Sequence, residues 1–370
     1  VLKANRPNLM ANLLETPNTV NAATLGLGFH TFSGDVAVKD VMHQIGADFA
    51  VREDSLVRIP SSLLEQIRNG EAVTIPTDYI VDSHKATVRD DTDRTIGVVG
   101  KSYGLIQNNS CFEVLDMMCN ASVTDNPLKI VSAGMVHEFE PYLQAEIPSD
   151  GLRIAGDPSD TKFYAFVHTS HDGSCGLQVR FSPVRIVCQN TFMANVSAKC
   201  GFTFRHSSRV QERLDLTEEA NVKRIREKVA SLKKFSADYV DMMNGFKAKP
   251  VDEAYVRKFM TELFVDDEKV KAAIAANNGR FEGLDEVSTR LANTMTAFRN
   301  TLESSEGGQD FAKGSRLWLF NGLTAYNSNT ASYGNMRKDS GYTRAEKRFD
   351  ALMDGAASRR VMKAMDILAA

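Results

Sequence analysis

The sequence predicts an α+β protein: a hairpin-rich antiparallel sheet packed by helices, followed by a mostly helical C-terminal region. Three observations lead to it. Between about residues 76 and 215, short apolar runs alternate with turn-rich clusters, as in "KATVRD", "DDTDR" and "TIGVVGKSY". The regular strand–helix alternation of a parallel sheet is missing there, so the pairing should be antiparallel. Beyond residue 216 the apolar positions recur at helical spacing to the end of the chain. These textures divide it into a mixed segment 1–75, a β-rich core 76–215 and a helical region 216–370.

The elements follow in order. "SGDVAVKDVMHQIGADFAV" reads as a short helix with Asp35 as N-cap, Val38, Val41, Met42 and Ile45 on one face, and Gly46 ending it. "DDTDR" joins the first hairpin. "NNSCFEVLDMMCNAS" reads as a helix whose Phe112, Leu115, Met118 and Cys119 share a face. "KIVSAGMVHEF" with "YLQAEIP" forms another strand pair, and "KFYAFVHTSHDGSCGLQVRFSP" gives two strands around Asp172-Gly173. His168 and His171 flank that tip and are expected at the surface. In the helical region Thr217 is the expected N-cap of a long helix with Val222, Ile225, Val229, Leu232 and Val240 along one stripe, broken by Pro250. Three shorter helices and two terminal ones follow, with the polar, glycine-bearing "NSNTASYGNMRKDSGYT" expected to be mobile between the last.

Composition narrows the classes. The 370 residues are 43% hydrophobic and 25% charged, the balance of an ordinary soluble globular protein. A net charge of −3 removes any global basic excess, so a nucleic-acid surface would have to be local. No run approaches the roughly 18 apolar residues needed to span a bilayer, and "VLKANRPNLMANLLE" lacks the apolar core of a secretory signal. Five cysteines in a chain of this size point to reduced thiols in a cytoplasm, not to a disulfide framework.

Motifs for catalysis or metal binding are weak by spacing. No cysteine pair is C-x-x-C and no two histidines stand at helical ligand spacing. "GVVGKSYG" contains Gly-Lys-Ser but lacks the first glycine of a phosphate-binding loop. In "VRIVCQNTF", Cys188 ends an apolar run and reads as buried core, since a nucleophilic thiol needs a base that no spacing supplies. Asn190 or Thr191 is expected to cap the helix that follows. Trp318 reads as core and Asn321 as a cap or backbone partner. Neither a cofactor nor catalysis is expected.

Several fragments together resemble a known family. The order "IGVVGKSYGLIQN", "KIVSAGMVHEF", "VRIVCQNTF", "RLWLFNGLTAY" and "RFDALMDGAASRRVMKAM" is similar to a phage- and plasmid-borne family of unknown function, domain of unknown function 932, from about residue 40 to the C-terminus. Its specific parts are Tyr103 with Gln107-Asn108, Val184 to Thr191, and Trp318 to Tyr326 followed by Phe349 and Gly355. The N-terminal "GLGFHTF" departs from the family's start. The resemblance implies a mobile-element origin and a bacterial cytoplasm, and supplies no activity.

Charge placement suggests one. Between Lys199 and Lys249 there are 12 Lys and Arg against 7 Asp and Glu, with Phe202 and Phe204 interleaved. Cations that track phosphates, with aromatics on which bases stack, are the ingredients of single-strand binding. The expected nucleic-acid residues are Arg180, Arg185, Gln189, Lys199, Arg205, His206, Arg209, Lys223 and Arg224. A second basic set, Arg337, Lys338, Arg344, Lys347, Arg348, Arg359, Arg360 and Lys363, lies beside Tyr333 and Tyr342 near the C-terminus. The expected function is single-stranded DNA binding or annealing by a non-catalytic homo-oligomer, by analogy with phage annealing proteins of the Red-beta and Erf kind. The rival is a protein-interaction module, acting in counter-defence or on the virion, whose helical half docks a host or phage partner.

Overall fold

A computed structural model describes residues 29–32, 36–120, 127–148, 152–158, 161–185, 202–215, 217–304, 310–333, 343–353 and 355–370. The architecture is α+β, with two antiparallel sheets and a helical C-terminal half. The smaller sheet has β2 (Val51–Val57), β3 (Ile80–Arg89) and β4 (Arg94–Gly100) in that order. The larger has six strands in the order β1 (Phe29–Thr31), β5 (Lys129–Val136), β6 (Glu140–Ile147), β7 (Thr161–His168), β8 (Leu177–Arg185) and β9 (Phe202–Phe204).

The expected hairpins are present with left-handed residues at their tips: Asp93 between β3 and β4, and Gly173 between β7 and β8. The first helix, α1, spans Val38–Gln44 and buries Val38, Val41 and Met42, with Gly46 beyond its end at φ 68°. Ala37 occupies its N-cap position, and Asp35 lies outside the described residues. Helix α2 (Ser61–Arg68) lies between β2 and β3, and α3 (Asn108–Cys119) follows β4. Of α3's expected apolar face, Phe112, Leu115 and Met118 are buried and Cys119 is partly so.

Strand alternation gives the large sheet two distinct faces. Leu143, Ala145, Phe163, Ala165, Val167, Leu177 and Val179 form the apolar face, joined in one core with α3 and with Ile225, Val229, Leu232 and Tyr239 of α5 (Glu219–Lys247). The intervening positions are Glu140, Tyr142 and Gln144 of β6, Phe166 and His168 of β7, and Gln178 and Arg180 of β8; register pairs Tyr142 with His168, Gln144 with Phe166, and Phe166 with Arg180. This second face is covered at one end by α10 (Arg344–Met353), whose buried Phe349 sits 6.0 Å from both the Tyr142 and Phe166 rings and 5.3 Å from His168.

A short α4 (Val210–Leu214) precedes α5, and Thr217 does not cap the long helix as expected. Its backbone N–H and its hydroxyl both donate to Asp215 Oδ1, which leaves Glu218 at the cap position. Helix α5 ends three residues before Pro250. Then come α6 (Glu253–Phe264), α7 (Glu268–Ala276), α8 (Thr289–Glu303) and α9 (Arg316–Ala325), with Asp252, Asp267, Ser288 and Ser315 accepting from the first-turn amides. Ser315, not Asn321, therefore supplies the cap beside Trp318, which is partly buried against the core. The terminal stretch folds as α10 and α11 (Ala356–Ala369) with a corner at Gly355. A Cβ there would lie 2.7 Å from Ala351 Cα, so the corner has no room for a side chain.

Candidate functional site

Of the residues that carried the family resemblance, Tyr103, Gln107 and Asn108 lie at the junction between the two sheets. Gln107, just before α3, donates from Nε2 to Val51 O (2.7 Å) and accepts from Val51 N–H (3.0 Å), pairing its amide with β2 as a strand would. Asn108 donates to Ala47 O (2.9 Å), and its Oδ1 lies 2.8 Å from His171 Nε2. Thr87 of β3 donates to His171 O (2.7 Å). His171 is thus held between the sheets with no exposed surface, which corrects the expectation of a surface histidine. Burial, reinforced by the neighbouring His206, pushes its pKa down to about 3, so it stays neutral in the folded protein. Among the described residues its Nδ1 has no hydrogen-bond partner.

His206 is a second departure from the sequence expectation. It stacks on Tyr103 with ring centroids 4.4 Å apart and planes 10° apart, and its Nδ1 lies 2.9 Å from Gly104 O. Burial holds its pKa below the ordinary value. Gly104 approaches the same segment so closely that a Cβ would stand 1.9 Å from Ser207 O. The 205–209 loop is therefore pinned to the 103–104 turn through an inward-facing histidine, which is not presented to a phosphate.

Its neighbours point the other way. Arg205 and Arg209 are exposed, as are Lys223 and Arg224 on the first turns of α5. Arg224 also reaches over the Phe204 ring, 5.0 Å from its centroid. Among the described residues no carboxylate pairs with Arg205, Arg209 or Lys223. Arg180, expected in the same set, is buried at 3% exposure and hydrogen-bonds Gln178 Oε1. Alternation along β8 places it on the face that carries Phe166 and Gln144, away from the other cations. Arg185 ends β8 opposite Thr161. Gln189 and Lys199, together with Cys188, Asn190 and Thr191, lie outside the described residues. So do Arg337, Lys338 and Tyr342 of the second basic set.

A cluster that the sequence reading missed lies where the second sheet face meets α10. His168, also expected at the surface, is buried, with Nε2 3.2 Å from Glu140 Oε2 and Nδ1 3.5 Å from Cys175 Sγ. His137 is buried too; its Nε2 lies 3.2 Å from Asp350 Oδ1 and its Nδ1 3.5 Å from Glu346 Oε1, both carboxylates on α10. His137 and the adjacent Glu138 hold the β5–β6 turn at φ 52° and 66°. Side chains without glycine's freedom pay about 1–2 kcal/mol each in that left-handed region. Burial alone would lower the pKa of His137, but the Asp350 hydrogen bond and the charges of Glu140, Asp350 and Glu346 outweigh it and raise the pKa. His168 is likewise raised against burial, by Cys175 and Glu140. The signal in the sequence was "HEFE": in a hairpin, a histidine in the turn and a glutamate three residues later face the same end of the sheet.

One family model, described as "Domain of unknown function (DUF932)", matches residues 95–353, a span that includes Tyr103, Gln107, Asn108 and His171 of the junction, the cation-bearing loop and the histidine–carboxylate cluster. No curated protein and no solved structure matches the chain. Among the described residues no helix is long and apolar enough to cross a membrane.

Proposed function

The chain belongs to the family described as a domain of unknown function (DUF932), and from that premise we propose that it is a mobile-element protein that binds nucleic acid, most simply single-stranded DNA, without catalysis. The observation that carries this reading is the pair Arg205 and Arg209, exposed on a loop whose position is fixed by the His206–Tyr103 stack, next to exposed Lys223 and Arg224. Cations on a held backbone lose less freedom on meeting phosphate than cations on a floppy arm, and they neutralise charge without reading sequence. Bases then stay free to pair, which is what annealing needs. Cytoplasmic location in a bacterial host and homo-oligomeric assembly belong to the same proposal.

Fluorescence anisotropy with labelled single-stranded DNA at two salt concentrations tests it. Micromolar or tighter binding that weakens steeply with salt supports the reading; absence of binding at low salt overturns it. A second reading, protein interaction, draws on a different feature. Ile59, Ile67, Ile75, Ile80 and Val98 are each more than 40% exposed, and all belong to the small sheet and the segments around α2. Such a group of apolar side chains suits a protein surface better than a phosphate. Under this reading DNA affinity is negligible and a defined protein partner is recovered instead.

A further inference from the structure

We propose that His137, Glu140 and Asp350 form a binding site for a divalent transition-metal ion of the Zn²⁺ or Mn²⁺ class, joining the C-terminal helix α10 to the large sheet. This is independent of any affinity for nucleic acid. One ligand atom from each of the three side chains lies within 4.8 Å of the other two. Metal bonds of about 2.0–2.2 Å to nitrogen and oxygen place the ligands of one shell roughly 3–4 Å apart. Small side-chain rotations therefore close the set around an ion. One imidazole with two carboxylates is a donor set for borderline and harder dications, not for soft Cu(I).

The surroundings are arranged as metal sites require. His137 Nε2 hydrogen-bonds Asp350 Oδ1 at 3.2 Å, and Glu346 Oε1 lies 3.5 Å from Nδ1. An ion entering beside Asp350 would replace the proton on Nε2, with Glu346 on the Nδ1 side to favour the tautomer protonated there. His168 Nε2 faces Glu140 Oε2 and fixes that carboxylate's orientation, while Cys175 at the far side of the ring fixes His168. Three carboxylates, Glu140, Glu346 and Asp350, converge on two imidazoles in a largely buried space. A dication compensates that excess better than protons alone. The Asp350 side chain is one-third exposed, at 33%, so the site opens to solvent along α10 and an ion has a way in.

The test uses the full chain after treatment with a chelator. Calorimetric titration with ZnCl₂ and with MnCl₂ should give one equivalent of at least one of them, and the thermal midpoint should rise on loading. Asp350→Asn and His137→Gln should each weaken binding at least tenfold, and Glu346→Gln by a smaller factor because it acts through His137. A Co²⁺-substituted sample should show ligand-field absorption that Asp350→Asn removes. Absence of a saturable one-to-one site for both metals overturns the proposal. So does a site that Asp350→Asn leaves unchanged, as adventitious binding at the exposed His43–Asp48 pair would be. If His137→Gln fails to fold, the wild-type stoichiometry and the partly exposed Asp350→Asn variant still decide.

Discussion

Acidification from pH 7.5 to 5.0 should remove the stability that His171 contributes as a buried neutral base. Its folded pKa of about 3 lies below the ordinary 6.5. The unfolded chain therefore takes up a proton as pH falls below about 6.5, while the folded chain does not until near 3. Stability is present above the unfolded value and is lost progressively between the two. At pH 5.0 the difference amounts to ~2 kcal/mol, from about 1.4 kcal/mol per unit over the interval from 6.5. His206, also lowered by burial, adds a loss of the same sign.

Comparison with a non-titrating variant isolates the His171 loss, because between pH 7.5 and 6.5 two other histidines still gain stability in wild type and variant alike. His137 and His168 have raised values, so their stabilisation is fully present below 6.5 and is lost only as pH rises through their folded values. The carboxylates held low, such as Glu253 and Asp215, release their contribution only as pH falls through the acid range below 5. The assay is urea unfolding of wild type and His171→Gln at both pH values. Glutamine keeps a donor towards Asn108 Oδ1 and cannot titrate. The variant should be less stable at pH 7.5 but should lose about 2 kcal/mol less than wild type on acidification. Equal losses in the two proteins would falsify the assignment of His171 as a buried neutral base.

Other substitutions probe separate links of the argument. Arg205→Ala with Arg209→Ala should lower single-stranded DNA affinity and reduce the slope of log affinity against log salt by ~1–2, measured by anisotropy; an unchanged slope places the phosphates elsewhere. Phe349→Ala removes a fully buried ring packed on Tyr142, Phe166 and His168, and should cost ~3–5 kcal/mol in urea unfolding, whereas a cost under about 1 would mean that α10 contributes little to the sheet. Gly104→Ala pushes a methyl into Ser207 O, so it should raise proteolytic cutting at Arg205 and Arg209 and weaken DNA binding; wild-type behaviour in both would show that the loop relaxes freely. Val98→Lys with Ile80→Lys should shift any oligomer to a smaller species in light scattering if the exposed apolar side chains of the small sheet mediate self-association.

The parts of this fold that could be read from sequence are those whose cause is local. Alternation flanking "DDTDR" and Asp172-Gly173 sufficed for two hairpins, and helical spacing sufficed for the buried stripe of α5. The histidines beside the second tip were misjudged because their burial is not a local property. His171 is enclosed by Thr87 and Asn108, more than sixty residues earlier in the chain. His168 is enclosed by Phe349, far later. The cation set failed at Arg180 for a related reason. A strand covered on both faces buries its polar positions too, and nothing within "LQVRFSP" announces that the second face is covered. His137, Glu140 and Asp350 escaped notice because ligand spacing was sought on helices, whereas the chain brings them together from a turn, a strand and a distant helix.

The two faces of the large sheet also separate the two proposals physically. The apolar face packs on α3 and α5, and the exposed cations lie on the outer surface of α5 and on the loop that enters it. The polar face is closed by α10, and its titratable groups converge beneath that helix. A metal ion at His137, Glu140 and Asp350 would act on how firmly α10 is seated, through contacts that involve none of Arg205, Arg209, Lys223 or Arg224. Asp350→Asn should therefore abolish metal-dependent stabilisation while leaving the salt dependence of DNA binding intact, and Arg205→Ala should do the reverse. Loss of both properties in either single variant would mean that the sheet couples its two faces, and the cations and the cluster would then have to be treated as one site.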